Sequence, residues 1–375
     1  MISILVTARA SWAKLSPVVR ELVKLQANIE IVACASAVLE KFGRVSRFSR
    51  QEFPQIPLTE LYTVMEGTRP VTIAKDSGIL LQSLADHYAQ VNPALVLICA
   101  DRYETHAAIM AACYQGIPVA HLQGGERTGT LDDVVRNANT VLSTWHFPAT
   151  SLSALRVNAL TGGAWDHIFM HGCPSIDVAL ESLAEPPVGS AELSGSGADI
   201  SPHYRFAFVL QHPDICEWTD AFEQMTTTLK ACRNARIPII LQWPNTDTGS
   251  DLTSKAIRVF RDRHPEVSLK TIPNFPPHRF LRLLSQASVL VGNSSAFIRE
   301  ASYLGVPAVN IGDRQHGREY AANVTHCGYD CTQIENAIVA QLTQKHYPRS
   351  LLYGDGHAGP RIAQQLVKLA LAQEP

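Results

Sequence analysis

Short apolar runs alternate along the chain with longer stretches in which apolar residues recur every three or four positions. In the first half, four runs have the length and composition of buried strands: Ile2–Val6, Ile29–Cys34, Leu95–Cys99 and 117–121. Three stretches between them follow the period of a helix: 14–26, 79–91 and 104–115. This alternation is typical of a parallel sheet flanked by helices.

A second series of the same kind begins near residue 206. Its predicted strands are 206–210, 238–242, 267–271, 289–291 and Ala308–Ile311, and its predicted helices are 218–235, 252–263, Pro277–Gln286 and 295–304. Residues 185–202 are rich in Pro, Gly and Ser and follow neither period, which predicts a linker. We therefore predict an α/β fold of two Rossmann-like, doubly wound parallel-sheet domains, 1–184 and 203–357.

The composition narrows the function classes. A length of 375 residues suits two domains or one large barrel, and 46% hydrophobic against 18% charged residues predicts a sizeable core without disorder. Lys and Arg total 32 against 34 Asp and Glu, so no chain-wide basic field for nucleic acid or an anionic membrane exists. The two strand series favour two domains over one barrel.

The cysteines and the apolar runs bear on the compartment. None of the 8 cysteines forms a CxxC pair or a cluster at zinc spacing, and the close pair Cys327 and Cys331 is interpreted as packed thiols. The first apolar run is too short for a signal peptide, and no run reaches about 18 residues. These patterns predict a soluble, cytoplasmic protein.

Polar residues follow the predicted strands of the first half, where an open parallel sheet binds its ligands. Arg9 and Lys14 lie after the first strand and are placed to face a phosphate, with a solvated turn as the alternative interpretation. Asp101 follows the strand Leu95–Cys99 and is also a good N-cap for the next helix.

A denser group of charges follows the strand 117–121. Two glycines precede Glu126, and Asp132, Asp133 and Arg136 share one predicted helix entrance. So many acids exceed what capping requires. Like charges in one place push pKa values apart, so we predict acid/base chemistry here.

The second half presents hydroxyls and amides instead. Asn293, Ser294 and Ser295 lead from a strand into a predicted helix, an arrangement that binds phosphate, although the serines also suit plain capping. Glu300 is placed for a ribose diol or the open surface, and His212 for a phosphate or a purely structural bond.

Two further loops complete the candidates. The loop 243–250, with Asn245 and Asp247, has the composition of a simple turn, and Arg314 follows the last predicted strand. The chain has no GxxxxGK[ST] loop and no GxGxxG after its first strand, which argues against ATP hydrolysis and dinucleotide redox chemistry. Acids in the first half of the chain and phosphate-binding groups in the second half together indicate a nucleotide sugar as the substrate.

These motifs resemble those of the hydrolysing UDP-N-acetylglucosamine 2-epimerases, over almost the whole chain. The matching segments are 100–105, 121–126 with Asp132, Asp133 and Arg136, 243–247, and 292–301 with 310–315. The resemblance implies two GT-B-like domains facing a cleft that closes, a C-terminal helix at 358–375 packing back on the first domain, and a homodimer.

The resemblance also implies the reaction. UDP is eliminated across C1 and C2 to give a 2-acetamidoglucal, and water then adds while C2 is reprotonated from the opposite face, without metal or nicotinamide. The residues that this implies as catalytic are Asp101, Glu126, Asp132, Asp133 and Arg136. Those implied as substrate-binding are Arg9, Lys14, His212, Asn245, Asp247, Asn293, Ser294, Ser295, Glu300 and Arg314.

The sequence departs from the family pattern at four places. Ser11 stands where relatives often have an acid, Asn137 where they often have His, and Ala296 and Phe297 where they have Ser and Gly. Phe297 is expected close to the phosphates. These changes leave room for a 6-deoxy or 4-amino substrate. A GT-B glycosyltransferase and a nucleotide-sugar-binding regulator without catalysis are the alternative functions.

Overall fold

The computed structural model describes residues 1–40, 44–65, 70–129, 131–214, 217–244, 249–273 and 275–373. They form two compact units: Met1–Glu126, Asp132–Asp177 and Gly354–Pro375 make the first, and Arg127–Leu131 with Val178–Tyr353 the second. Within the described ranges, no helix has both the length and the apolar character that crossing a bilayer requires.

The first unit contains one six-stranded parallel sheet. Its strands are β1 (Ile2–Val6), β2 (Ile29–Cys34), β3 (Leu58–Leu61), β4 (Leu95–Cys99), β5 (Val119–Leu122) and β6 (Trp145–Phe147). Its helices are α1 (Arg9–Lys24), α2 (Val45–Glu52), α3 (Pro70–Val91), α4 (Tyr103–Cys113), α5 (Leu131–Leu142) and α6 (Ser151–Leu160). The strand order β3-β2-β1-β4-β5-β6 is that of a doubly wound fold.

Alternation along the strands divides the core of this unit into two layers. Ile2, Ile4 and Val6 of β1 pack on one side with α1, while Leu5 faces the opposite layer with α3 and α4. Because both faces are covered, every residue of β1 is buried.

The second unit repeats this strand order and extends it. Its strands are β7 (Ser196–Gly197), β8 (Ala207–Leu210), β9 (Ile239–Gln242), β10 (Leu269–Ile272), β11 (Val289–Gly292), β12 (Ala308–Ile311) and β13 (Val324–Cys327). The order β13-β12-β11-β8-β9-β10 is doubly wound and parallel, and β7 joins the β10 edge in the antiparallel direction. The flanking helices are α8 (Ala221–Asn234), α9 (Ser250–Arg263), α10 (Pro277–Gln286), α11 (Glu300–Leu304) and α12 (Cys331–Thr343).

The predicted linker has structure of its own. The chain passes from the first unit to the second within α7 (Pro174–Ser182), so residues 185–202 belong to the second unit. In that stretch, Ser196 Oγ lies 2.9 Å from Thr271 Oγ1 of β10, which joins the segment to the sheet edge. Residues 185–202 therefore include the short edge strand β7 and are not the free linker that the sequence predicted.

The C-terminal helix returns to the first unit, as predicted. This helix, α13 (Ala358–Leu371), packs on α1 and contributes Ile362 and Leu366 to the core layer beneath β1. The carboxylate of Asp177 accepts hydrogen bonds from Ala358 N at 2.9 Å and Gly359 N at 2.6 Å, which satisfies two unpaired donors of the first helical turn. The predicted α/β class, with two doubly wound sheets and a returning helix, is confirmed.

Candidate functional site

Each sheet has one point where the strand order reverses, and most of the predicted site residues lie at these two points. In the first unit the reversal lies between β1 and β4, which pair in parallel from Ile2 opposite Leu95. Arg9 follows β1 and Asp101 follows β4, at the same edge of the sheet. A doubly wound sheet binds ligands at this kind of crevice.

A buried arginine holds the acids at this edge together. Arg136 of α5 donates to Asp133 Oδ1 at 2.5 Å, to the backbone oxygen of Glu126 at 2.6 Å, and to Asp101 Oδ2. The Arg136 side chain is 1% exposed, whereas those of Asp101 and Asp133 are 22% and 19% exposed. The cluster thus buries its cation and leaves two carboxylates accessible.

The electrostatics differ from the expectation of mutual repulsion among the acids. Burial lowers the pKa of Arg136, but the charges of Asp101, Glu126 and Asp133 together raise it above its usual value. The arginine therefore stays charged and compensates the carboxylates. The sequence pattern singled out these residues but did not predict that Arg136 compensates the charges of the acids.

A glycine allows the chain to bring Glu126 to this arginine. Gly125 has a φ of +77°, and a Cβ there would lie 2.1 Å from the backbone oxygen of Ser153 on α6. Only glycine fits this approach. Glu126 itself is 5% exposed.

The remaining candidates of the first unit lie around this cluster. Asp132 lies beside Asp133 in the first turn of α5 and is partly exposed. Arg9 begins α1, and burial lowers its pKa to about 10. Lys14 is buried one turn further along α1, where its Nζ donates to the Ala10 oxygen at 3.3 Å. Ser11 Oγ accepts from Thr7 N and Ala8 N, so it caps this helix.

The second reversal point lies between β8 and β11, and an asparagine bridges it. Asn293 Oδ1 accepts from His212 N at 2.7 Å, and Asn293 Nδ2 donates to the His212 oxygen at 2.8 Å. Gly292 precedes it with a φ of +138°, and a Cβ there would lie 2.2 Å from the Leu210 oxygen. The close approach of the two strand ends therefore requires glycine and a planar amide.

The loop after β12 supports the same asparagine. Gln315 Nε2 and Arg314 Nη1 donate to the Asn293 backbone oxygen at 3.0 and 3.3 Å. Tyr329 also bonds to the Asn293 side chain, although burial raises the pKa of its hydroxyl above the usual value. His212, Asn293 and Arg314 thus belong to one network.

The helix predicted at 295–304 is broken. Ser295–Phe297 form a single 3-10 turn, which Ser294 caps by accepting from Ala296 N at 3.4 Å, and α11 begins only at Glu300. Ser295 Oγ accepts from Arg299 Nη2 at 2.8 Å. The strong helix dipole expected behind the serines is therefore reduced to that of a short turn.

The position of Phe297 is a second correction. We expected this bulky side chain close to the phosphates, but it is fully buried and packs edge-on against Phe208 of β8, with ring centroids 6.3 Å apart. The turn directs the ring into the core. The bulky ring therefore does not reduce the space at the strand ends, where the phosphates were expected.

Glu300 lies at the start of α11 and is 6% exposed. Its Oε2 lies 3.9 Å from Arg299 Nε, and no group in the described part of the chain donates a hydrogen bond to that oxygen. A buried carboxylate oxygen of this kind is costly unless a ligand supplies a donor. Asn245 and Asp247 lie outside the described residues.

A sequence comparison identifies the family. A model of the family described as UDP-N-acetylglucosamine 2-epimerase matches residues 23–367. The chain belongs to this epimerase family. The match spans both units and includes every predicted site residue except Arg9 and Lys14.

Individual relatives of this epimerase-family chain agree. It is 31% identical over 300 residues to the UDP-N,N'-diacetylbacillosamine 2-epimerase (hydrolyzing) of Legionella pneumophila, covering 80% of this chain and 78% of the relative. It is 26% identical over 333 residues to the UDP-N-acetylglucosamine 2-epimerase of Neisseria meningitidis, covering 88% and 84%.

Solved structures confirm the fold. The Methanocaldococcus jannaschii UDP-GlcNAc 2-epimerase in complex with UDP-GlcNAc and UDP has a TM-score of 0.81 at 18% identity, covering 98% of this chain and 99% of the other. The Neisseria meningitidis enzyme bound to UDP-GlcNAc has a TM-score of 0.79 at 20% identity, covering 98% and 99%.

Some polar residues beside the candidate site were missed by the sequence analysis. Arg102 binds Glu104 through two hydrogen bonds of 2.9 Å, and Glu104 is only 2% exposed. His121 and Asn139 are fully buried behind the acid cluster. The sequence offers one signal for His121, since a polar residue inside a predicted buried strand needs a specific partner.

Proposed function

We propose that the chain is a hydrolysing nucleotide-sugar 2-epimerase. It converts UDP-N-acetylglucosamine, or a 6-deoxy or 4-amino relative, to the free 2-epimeric N-acetylmannosamine-type sugar and UDP through a 2-acetamidoglucal. The observation that carries this proposal is the group of carboxylates around buried Arg136 at the first reversal point. The hydrolysing activity named for the Legionella pneumophila relative supports this subtype.

The first chemical step needs a base close to C2 of the sugar. One of the carboxylates of Asp101, Glu126 and Asp132 or Asp133 takes the C2 proton, and the C2–H electron pair forms the C1=C2 double bond. The C1–O bond breaks, and UDP leaves with its electron pair. Arg136 stays protonated throughout, so it compensates the charge of the carboxylates without competing for the proton.

The second step reverses the protonation at C2. A water oxygen bonds to C1 and passes one proton to an ionised carboxylate, while a protonated carboxylic acid on the opposite face delivers its proton to C2. The base of the first step returns its proton to the solvent. The sugar leaves with inverted configuration at C2. Two acids on opposite faces therefore suffice, and a cluster of several carboxylates provides them.

The second reversal point is proposed to hold the nucleotide. His212, Ser294, Ser295 and Arg314 provide donors for the phosphates. Arg9 and Lys14 of the first unit stay predicted as substrate-binding residues. Glu300 accepts from the ribose hydroxyls, because its Oε2 is buried and lacks a donor among the described residues. Asn293 positions this site by bridging the two strand ends.

The test is to incubate the protein with UDP-N-acetylglucosamine and its 6-deoxy and 4-amino relatives in heavy water, without an acceptor, and to follow the products by NMR. We expect UDP and a free sugar carrying deuterium at C2. A sugar that exchanges its C2 proton but stays attached to UDP would instead identify a non-hydrolysing epimerase. If every substrate returns unchanged although UDP binds, the epimerase proposal is wrong.

Further properties stay predictions for the same protein. We expect unchanged turnover after treatment with a chelator and without added nicotinamide, and a homodimer in sedimentation. The cytoplasmic location is likewise an inference from sequence.

A glycosyltransferase is the disfavoured alternative. The family match extends through the acid cluster, and transfer of a sugar to an acceptor does not require such a cluster.

A further inference from the structure

The backbone is strained immediately before Asp101. Ala100 follows the last residue of β4 and has a φ of +66°, a left-handed conformation that is unfavourable for an L-residue with a side chain. Its N–H still pairs with the Leu122 oxygen of β5 at 2.9 Å, so the turn starts from a fixed strand end. The conformation of Ala100 therefore sets the direction in which Asp101 leaves the sheet.

Two buried side chains donate to the Ala100 carbonyl. His121 Nε2 lies 3.0 Å from the Ala100 oxygen, and Asn139 Nδ2 lies 3.4 Å from it. Both residues are 0% exposed. A carbonyl oxygen only accepts, so Nε2 of His121 must carry a proton, and Nδ1 faces the Thr140 hydroxyl at 3.3 Å.

The same network also holds the chain after Asp101. Asn139 Nδ2 donates to Thr105 Oγ1 at 2.9 Å, and Thr105 Oγ1 donates to the Arg102 oxygen at 2.5 Å. Asp101 is therefore bracketed by two backbone carbonyls that this network fixes. Burial also lowers the pKa of His121 to about 4, so the ring is neutral at physiological pH and adds no charge to the acid cluster.

We propose that His121 and Asn139 are positioning residues for the epimerase reaction: their hydrogen bonds stabilise the left-handed Ala100 and thereby direct the Asp101 carboxylate to Arg136 and the sugar. The proposal rests on the proposed function, because it assumes that Asp101 takes part in the chemistry. Neither residue needs to touch the substrate.

A set of substitutions at His121 tests the hydrogen bond. His121→Met removes the donor and approximately keeps the volume, whereas His121→Gln retains an N–H near the position of Nε2. We expect His121→Met to lower kcat at least about tenfold with KM and UDP affinity unchanged, because the carboxylate is misplaced and the nucleotide site is intact. His121→Gln should restore most of the loss.

The sheet offers a matched control. His146 of β6 lies directly opposite His121 in the strand register and is equally buried, but in the described part of the chain its Nδ1 has no hydrogen-bond partner. His146→Met should therefore leave kcat within about threefold of the unsubstituted protein. Equal kcat values for His121→Met and His146→Met would overturn the positioning proposal, as would a parallel rise in KM.

Two additional variants keep the test decisive. If His121→Met does not fold, Asn139→Ala removes the weaker donor to the same carbonyl, and a fall in kcat at constant KM supports the proposal while unchanged kcat overturns it. Asp101→Asn separates the two hypotheses. If Asp101→Asn keeps full turnover, the proposed role of Asp101 is wrong. If it is inactive while His121→Met is fully active, only the positioning inference fails.

Discussion

The two sheets have the same strand order, but the side-chain contacts at their two reversal points are ionic in one and mainly neutral in the other. At the first, Asp101 and Asp133 converge on buried Arg136, and charged side chains make the contacts. At the second, Asn293 joins both strand ends through two neutral hydrogen bonds to the His212 backbone. One topology therefore presents an ionic cluster in one unit and an amide bridge in the other, so the loops and not the sheets determine the chemistry.

The difference follows from what each point is proposed to do. A proton acceptor must be an ionised acid, and a partly buried acid needs a permanent cation beside it, which Arg136 provides. A site for phosphates must not carry surplus negative charge, and neutral amides, hydroxyls and cations satisfy this condition. The comparison predicts that substitutions at the first point affect turnover and those at the second affect nucleotide binding.

The largest effect is expected at the first reversal point. Asp101→Asn and Glu126→Gln should each lower kcat more than about 100-fold, because the amide cannot take or deliver a proton. UDP affinity, measured by calorimetry, should change less than about twofold, since the phosphates are proposed to bind at the second reversal point. Kinetics and binding are measured on the same preparations.

The control for these variants is Asp355→Asn. Asp355 is also an ion-paired aspartate of the first unit, bound to Arg361 at 2.7 Å, but it is 40% exposed. The substitution Asp355→Asn should leave turnover unchanged. A parallel loss of UDP affinity in the Asp101 and Glu126 variants would show that these acids maintain the fold of the site rather than transfer protons.

The sequence predicted the fold well where strands are long and buried. The runs at β1, β2 and β4 were predicted to the residue, because five or six consecutive apolar-rich positions have no other stable location in an α/β fold. The short edge strands β3 and β13 were missed. Leu58–Leu61 are all partly exposed, so hydrophobic periodicity could not identify them.

The sequence singled out candidate site residues by type but could not predict their contacts. Asp101, Asp133 and Arg136 were singled out. However, the ion pairs of one arginine with two acids require the fold to bring together residues that are 35 positions apart in the chain. The left-handed Ala100 and the inward rotation of Phe297 were also inaccessible, because both result from packing against neighbouring strands. Local pattern contains no information on such contacts.

An intermediate effect is expected from Glu300→Gln at the second point. The substitution removes the charge that accepts from the ribose, so UDP should bind about tenfold more weakly, which corresponds to one hydrogen bond to a charged group. kcat at saturating substrate should stay within about threefold.

Glu192→Gln is the matched control in the same unit. Glu192 binds Arg279 at 2.6 Å and its side chain is 43% exposed. This substitution should leave UDP affinity unchanged. If Glu300→Gln also binds UDP normally, Glu300 does not contact the nucleotide. That result would count against nucleotide binding at the second reversal point.

The smallest effect concerns stability against pH and the buried histidines of the first unit. Burial lowers the pKa of His121 to about 4 and that of His146 to about 3. Between pH 6.5 and 5 the unfolded chain binds protons that these rings exclude in the fold. The unfolding free energy therefore decreases as the pH is lowered, by at most about 1.4 kcal/mol per pH unit for each ring.

His146→Met tests this without breaking a described side-chain hydrogen bond of the ring. Its unfolding free energy, from urea titrations at pH 5 to 7, should depend less steeply on pH than that of the unsubstituted protein. Burial also lowers the pKa of His171 and His326, so a shallower slope remains. The exposed His203→Gln should keep the original slope. An unchanged slope in His146→Met would mean that this ring takes up its proton within the fold, and the first reversal point would then lie beside a second buried cation.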